Sequence, residues 1–310
     1  MKISIIGGVN YDLIINAYNK IIPFDSNPSK ISYSAGGVSR NIAEVLGKIS
    51  KIDHNNKIFL YGLVGNDPEG KFVLEYTEES GVDCSNVIVK KDISTSKYIT
   101  FNEDNGDMYV AANDMRLYDS IDKSILVKWK QSLMESDIVL LDTNLQIEII
   151  NEILDFLPKN IITIIETVSM NKITKLKKLK HKINILKTNI KEFKYLYDLK
   201  NDEEILEYCK NIKSFHDIII TNQEKEVLYI KENDIQKIKT IKTEVVNTNG
   251  AGDSFTAGFI YGVSKNYNYD DAIRYGNVFS TMSLKTNQIF PKEIRLNKID
   301  TLYRRNYIED

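Results

Sequence analysis

At 310 residues the chain is long enough for one large α/β domain, or for one with a small appendage. Charged residues make up 27% and nearly cancel to a formal net charge of −2, which argues against the basic surface that nucleic-acid binding requires. Two separated cysteines, Cys84 and Cys209, the absence of a signal-peptide pattern after Met1 and the lack of an apolar run near ~20 residues predict a reducing, cytoplasmic setting away from membranes. The three histidines, His54, His181 and His216, are scattered without the spacing of a zinc site or a His-based triad.

The chain opens on a β-branched run at 3–6, and similar near-continuous apolar runs recur at 57–64, 138–142, 161–166, 183–187 and 217–221. Runs of this kind are expected of strands buried on both faces of a parallel sheet. Helical periodicity appears between and after them. Residues 37–50 carry Val38, Ile42, Leu46 and Ile49 on one stripe, and 270–285 carry Ile273, Phe279 and Met282. The alternation predicts a doubly wound, mainly parallel sheet flanked by helices, with ligands at the carboxyl ends of the strands, where Asp142 and Asn144 end one run. Gly7-Gly8 follows the first strand, but the stretch to Asp12 lacks the further glycine of a dinucleotide fingerprint. Asn10 and Asp12 are polar groups at a strand end. Asp12 is either an acceptor for a pair of sugar hydroxyls or a turn-capping acid.

Two segments break this rhythm. Residues 12–18 with 30–35, and 96–102 with 107–113, alternate apolar and polar in a two-residue period, and Glu103-Asp104-Asn105-Gly106 is a hairpin signal. They predict four strands outside the main sheet, either a small flap built from about 12–35 and 95–113 or ordinary surface hairpins. The lysines of 172–182 read as a solvated helix face. No internal repeat or low-complexity stretch appears, and the residues after Asn287 carry no readable chemistry.

The most informative segment is Asn247-Thr248-Asn249-Gly250-Ala251-Gly252-Asp253-Ser254-Phe255. A small-residue turn leads into an apolar helical pattern through Phe255, Phe259 and Val263, so Asp253 falls in the first helical turn. Backbone amides and the helix dipole at such a place attract an anion, and a fixed carboxylate beside it can take the proton of an attacking hydroxyl. Asp253 can equally be a capping acid.

The segment resembles the signature of the PfkB-type, or ribokinase-like, carbohydrate kinases. Two further signatures stand in the expected order: Gly36-Gly37-Val38-Ser39-Arg40-Asn41 and Asn189-Ile190-Lys191-Glu192. The resemblance covers about residues 3–286, and Ser26-Asn27-Pro28-Ser29-Lys30 with Asn113-Asp114-Met115 narrows the expected acceptor to pseudouridine. It implies a single ribokinase-like domain with a β lid over the sugar, and ATP-dependent phosphorylation of a 5′-hydroxyl. Asp253 is then the base, and the amides of Gly250, Ala251 and Gly252 with its own form the anion hole. Asp12, Gly36, Gly37 and Asn41 hold the ribose, with Gly37 admitting the sugar close to the backbone. Arg40 adds charge near the sugar or the phosphoryl group, and Asn113, Ser96 and Lys30 are candidates for reading the base. Asn189 and Glu192 organise the phosphates and water-bound Mg²⁺, while Thr221 and Asn277 border the nucleotide. A monovalent cation such as K⁺ and a homodimer formed through the lid are further expectations. Departures from the family pattern are Asn222-Gln223-Glu224-Lys225-Glu226 in place of glycines after the strand near 221, Asn247 for Asp, Asn249 for Thr and Glu166 for Asp. They bear on nucleotide choice and on the cation. Kinases for another nucleoside or a pentose, and a catalytically idle binding protein of the same fold, are the alternatives.

Overall fold

The apolar runs assemble into a nine-stranded sheet in the computed structural model, which describes residues 1–209, 212–232 and 234–308. In chain order the strands are β1 (Lys2–Ile6), β2 (Asn10–Ala17), β3 (Ser29–Gly36), β4 (Lys57–Gly65), β5 (Asp83–Lys90), β6 (Lys97–Asn102), β7 (Met108–Asp114), β8 (Ile138–Asp142), β9 (Ile162–Glu166), β10 (Ile183–Asn189), β11 (Phe215–Thr221), β12 (Val227–Lys231) and β13 (Asp234–Ile238). The helices are α1 (Val38–Asp53), α2 (Pro68–Glu79), α3 (Lys123–Met134), α4 (Ile147–Phe156), α5 (Met170–Ile173), α6 (Ile190–Tyr197), α7 (Glu203–Cys209), α8 (Ala251–Ser264), α9 (Tyr269–Leu284) and α10 (Leu296–Tyr307).

The large sheet runs β13-β12-β11-β10-β9-β8-β1-β4-β5. Its pairings are parallel from β11 to β5, and β12 and β13 add an antiparallel edge. Both faces are covered, which explains why β8 reads Ile-Val-Leu-Leu-Asp with every residue buried. Alternate residues go to opposite layers: Ile3, Ile5 and Leu140 pack with α1, α8 and α9, while Ile6, Leu141 and Ile165 pack with Trp129, Ile150 and Phe193. From β1 the chain proceeds outward to β4 and β5, then returns to place β8 on the other side of β1. That reversal is a topological switch point, and the carboxyl ends of β1 and β8 open the crevice where an α/β sheet binds ligands.

The second sheet has four strands in the order β3-β2-β6-β7. The turn between β6 and β7 closes through the Glu103 amide on the Asp107 carbonyl at 2.8 Å, with Gly106 left-handed at φ 88°. β5, β12, β13 and α10 were not foreseen from the sequence. Of the lysines at 172–182, Lys177, Lys178, Lys180 and Lys182 are exposed as expected, while the stretch itself is the short α5 followed by a 3₁₀ turn over Thr174–Lys178, and Lys172 and Lys175 turn inward. Lys175 Nζ donates to the Thr143 and Leu145 carbonyls, and Lys172 to Asn144 Oδ1 at 2.5 Å, so both are partly buried ties to the end of β8.

Candidate active site

The crevice is floored by Asp142, fully buried at the end of β8. Its carboxylate accepts from the Gly8 amide at 2.7 Å, Ser39 Oγ at 2.8 Å and the Asn144 amide at 2.8 Å, tying β1, α1 and the β8 loop together. α1 can begin beneath Gly8 because Gly37, at φ 98°, has no Cβ to collide with the Gly8 carbonyl. Gly37 is thus needed to seat the backbone of its own chain, beside the role expected of it near a sugar. A Cβ on Gly36, in turn, would occupy the place of the Asp12 carboxyl group.

Asp12 reaches into the crevice from β2, paired with Ser34 on β3 and Tyr98 on β6. Asp12 Oδ1, Asn10 Oδ1 and Ser96 Oγ are buried with no hydrogen-bond partner. An unsatisfied buried polar atom costs roughly 1–3 kcal/mol, so three together make a place that a polyhydroxylated ligand would relieve. Burial pushes the Asp12 carboxyl up to about 6, with Arg40 opposing and Asp253 adding to the rise.

Asp253 faces Asp12 from the first turn of α8. Gly250 caps that helix in the left-handed region at φ 77°, and the Gly252 and Asp253 amides have no hydrogen-bond partner among the described residues. Free first-turn amides and the helix dipole make an anion site of this end. Asp253 Oδ2 accepts from Asn41 Nδ2 at 2.7 Å. Burial raises the Asp253 carboxyl to about 6, against the Asn41 hydrogen bond and the charges of Lys187 and Arg40. The Asp253 charge adds in turn to the rise of Asp12 across the crevice.

Lys187 completes this group and was missed from the sequence. Its Nζ lies 3.5 Å from where a Cβ on Gly252 would stand, and it donates to Glu166 Oε1 at 2.8 Å. Glu166 also accepts from Thr256 Oγ1 at 2.6 Å. Burial works against the Lys187 ammonium, yet Glu166 holds its pKa above the ordinary lysine value. Burial likewise pushes Glu166 up, with Lys187 opposing. The signal for Lys187 was a lysine directly after the apolar pair Ile185-Leu186 in a strand of the buried sheet.

The remaining expected residues are distributed unevenly. Arg40 is fully buried: Nη1 pairs with Glu44 Oε2 at 2.6 Å and Nη2 donates to Asn41 Oδ1. Its guanidinium is enclosed by α1, and its charge reaches Asp12 and Asp253, opposing the rise of both carboxyls. Asn189 Oδ1 caps α6 by accepting the Glu192 amide at 3.0 Å, and the Glu192 carboxylate turns toward Thr167 and Thr188. Thr221 Oγ1 donates to the Thr188 carbonyl at 3.2 Å at the end of β11. Asn277 is buried in α9, and its amide donates to the Lys239 carbonyl and the Tyr307 hydroxyl at 3.1 and 3.0 Å, which sets the end of α10 against it. Asn113 is exposed on β7 beside Tyr98, and Lys30 is exposed at the far end of β3. The run that replaces the family glycines turns with Gln223 left-handed at φ 52°, and the Lys225 amide reaches the Asn222 carbonyl at 2.9 Å. Asn247 Oδ1 accepts the Asn249 amide at 2.9 Å, using internally an oxygen of the loop expected to hold a cation.

A family model described as pfkB family carbohydrate kinase matches residues 1–289. The chain is 28% identical over 290 residues to the pseudouridine kinase of Escherichia coli strain K12, across 91% of this chain and 90% of that protein. It is 27% identical over 292 residues to the ribokinase of Lactococcus lactis, across 92% and 91%. The structure of Arabidopsis thaliana ribokinase complexed with ribose and ATP matches with a TM-score of 0.81 at 16% identity, covering 97% of this chain and 98% of that one.

Proposed function

Since this chain belongs to the pfkB family of carbohydrate kinases, phosphotransferases acting on an alcohol group, we propose that it transfers the γ-phosphoryl of ATP to the 5′-hydroxyl of pseudouridine. The observation that carries this reading is the pairing of two facing carboxylates: Asp12, with a buried oxygen lacking a partner, and Asp253, at a helix end with free amides. One carboxylate binds ribose hydroxyls and the other meets the hydroxyl that reacts. Asp253 takes the 5′-hydroxyl proton as the O5′–P bond forms and the bond from Pγ to the bridging oxygen breaks, releasing ADP. The Gly252 and Asp253 amides, the α8 dipole and the Lys187 ammonium receive the charge on the moving phosphoryl group.

No cluster of three metal-ligating side chains occurs among the described residues. Mg²⁺ would be held by the phosphates of ATP, with Glu192 offering it, through water, the carboxylate oxygen that does not face Thr167 and Thr188, and it would neutralise phosphate charge. The row Asp12, Tyr98, Asn113 runs across one face of the small sheet. It offers a carboxylate for the ribose, a ring on which a base stacks and a carboxamide for the base edge, which supports a nucleoside acceptor and a lid role for this sheet. Exposed Ile31, Tyr33, Met108 and Val110 on the edge strands β3 and β7 support a homodimer formed through the lids, a mass that sedimentation at two concentrations reads. Among the described residues no helix is long and apolar enough to cross a membrane. Residence in the cytoplasm is part of the same reading, and cell fractionation tests it.

Pseudouridine differs from uridine by a carbon-linked base with an extra ring N–H. A pocket that bonds this N–H leaves a polar group unpaired with uridine, a strong discriminator. The similarity to the Lactococcus lactis ribokinase favours ribose as the second reading. Mg-ATP with equal concentrations of pseudouridine, uridine, adenosine, ribose and fructose 6-phosphate separates the readings. Preferred turnover of pseudouridine is expected. Preferred turnover of ribose or adenosine would refute the acceptor, and no turnover at all would favour an idle binding protein.

A further inference from the structure

The two ends of the Asn41 side chain have nearly the same shape and opposite chemistry. Its N–H stabilises the Asp253 carboxylate at 2.7 Å, whereas a flipped carbonyl would repel it. What selects the orientation lies on the other side. Arg40 Nη2 donates to Asn41 Oδ1, and a guanidinium, having no acceptor, admits only the carbonyl end. Arg40 is held by Glu44 at 2.6 Å one helical turn on, Glu44 by Lys48 at 2.6 Å, and the guanidinium lies over the Tyr76 ring at 5.8 Å. The side chains of Arg40 and Glu44 are 0% and 2% exposed. A buried ion pair of this kind is commonly no more stabilising than apolar residues of equal volume, so stability alone does not account for it.

We propose that Arg40 and Glu44 form a positioning device for Asp253: their ion pair locks the Asn41 carboxamide so that its N–H faces the carboxylate. The inference rests on Asp253 being the base. Arg40 thereby acts on the reaction through Asn41 without touching the acceptor. Burial disfavours the Glu44 carboxylate, but Arg40 and Lys48 hold it below the ordinary glutamate value, so the pair stays charged over the working range. The charged groups around Asp253 include Asp12 from β2, Asp142 from β8, Glu166 from β9, Lys187 from β10 and Arg40 itself. Among the described residues, Arg40 alone bonds the carboxamide that bonds Asp253.

The test is the double variant Arg40→Met/Glu44→Met, which replaces the pair by apolar side chains, with Glu44→Gln as the milder change should the double variant fold poorly. In a folded protein, kcat should fall about tenfold or more with acceptor KM within about threefold, since a misplaced catalytic group costs turnover more than binding. The acid limb of kcat/KM should move to higher pH, because Asp253 loses a hydrogen bond that favours its charged form. Glu44→Gln should move both in the same direction and less. Wild-type kcat with an unmoved acid limb in either variant overturns the proposal. If the wild type itself transfers no phosphoryl group, the kinase reading fails separately, and the side-chain amide resonance of Asn41, assigned by its loss in Asn41→Asp, still decides. That resonance should follow the Asp253 titration in the wild type and cease to in the double variant. Unchanged tracking overturns the proposal.

Discussion

Replacing Asp253 by asparagine removes one oxygen's basicity and almost no volume, so its consequences follow from charge. With the carboxyl raised to about 6, wild-type turnover should be flat above neutrality and fall as the pH drops through 6, reaching about a tenth near pH 5. Asp253→Asn should abolish that limb and lower kcat by about two to four orders of magnitude, with nucleoside affinity nearly unchanged. The same shift makes a statement about stability. A carboxyl whose folded pKa exceeds its unfolded value favours the protonated folded form. Ionisation therefore costs stability, a cost absent below the ordinary aspartate value of 3.8 and complete above about 6. After discounting for screening at the cleft, the cost at pH 7.5 is about 1–2 kcal/mol. A neutral carboxamide at this position would not incur it. The variant should thus be nearly inactive and yet more resistant to urea than the wild type at pH 7.5, with the two converging near pH 4. Steady-state kinetics and urea melts at both pH values measure this. A variant with near-wild-type kcat, or one equally stable or less stable at pH 7.5, would refute the assignment of a half-buried, charge-strained base.

Three other outcomes are expected. Saturating nucleoside should slow amide exchange in β2, β6 and β7 more than in β8 to β10, and equal protection in both sheets would count against a lid. Lys187→Met should reduce kcat about 10²–10³-fold, as loss of a donor to developing charge does, and the Lys187→Met/Glu166→Gln pair should regain stability but not turnover; recovered turnover would exclude Lys187 from the phosphoryl site. Gln223→Gly should stabilise the protein by about 0.5–1 kcal/mol by relieving the left-handed turn at φ 52°, and an unchanged or lower urea midpoint would contradict that strain.

The parallel sheet was legible because strands buried on both faces leave continuous β-branched runs, as in Ile138–Asp142. β12 and β13 were not, because each is a five-residue antiparallel strand at the sheet's end flanked by charges, and the missing glycines drew the reading of 222–226 toward a nucleotide loop. Asp253 and Asn41 were each visible as motif residues. Their direct contact, 212 residues apart in sequence, was not. The ion-pair ladder of Arg40, Glu44 and Lys48, spaced four apart on one helix, stood in the sequence but was masked by the place of Arg40 inside a sugar-binding signature. The packing of Tyr307 onto Asn277 was likewise out of reach, since a tyrosine near the chain's end carries no sign of which helix it will meet.

The most direct test of the central claim is the identity of the product. Phosphorus NMR of pseudouridine incubated with Mg-ATP and the protein should show a new monoester resonance split by the two H5′ protons, growing with ADP in equal amounts. ADP without a phosphate ester, or an ester on any other hydroxyl, would contradict the account.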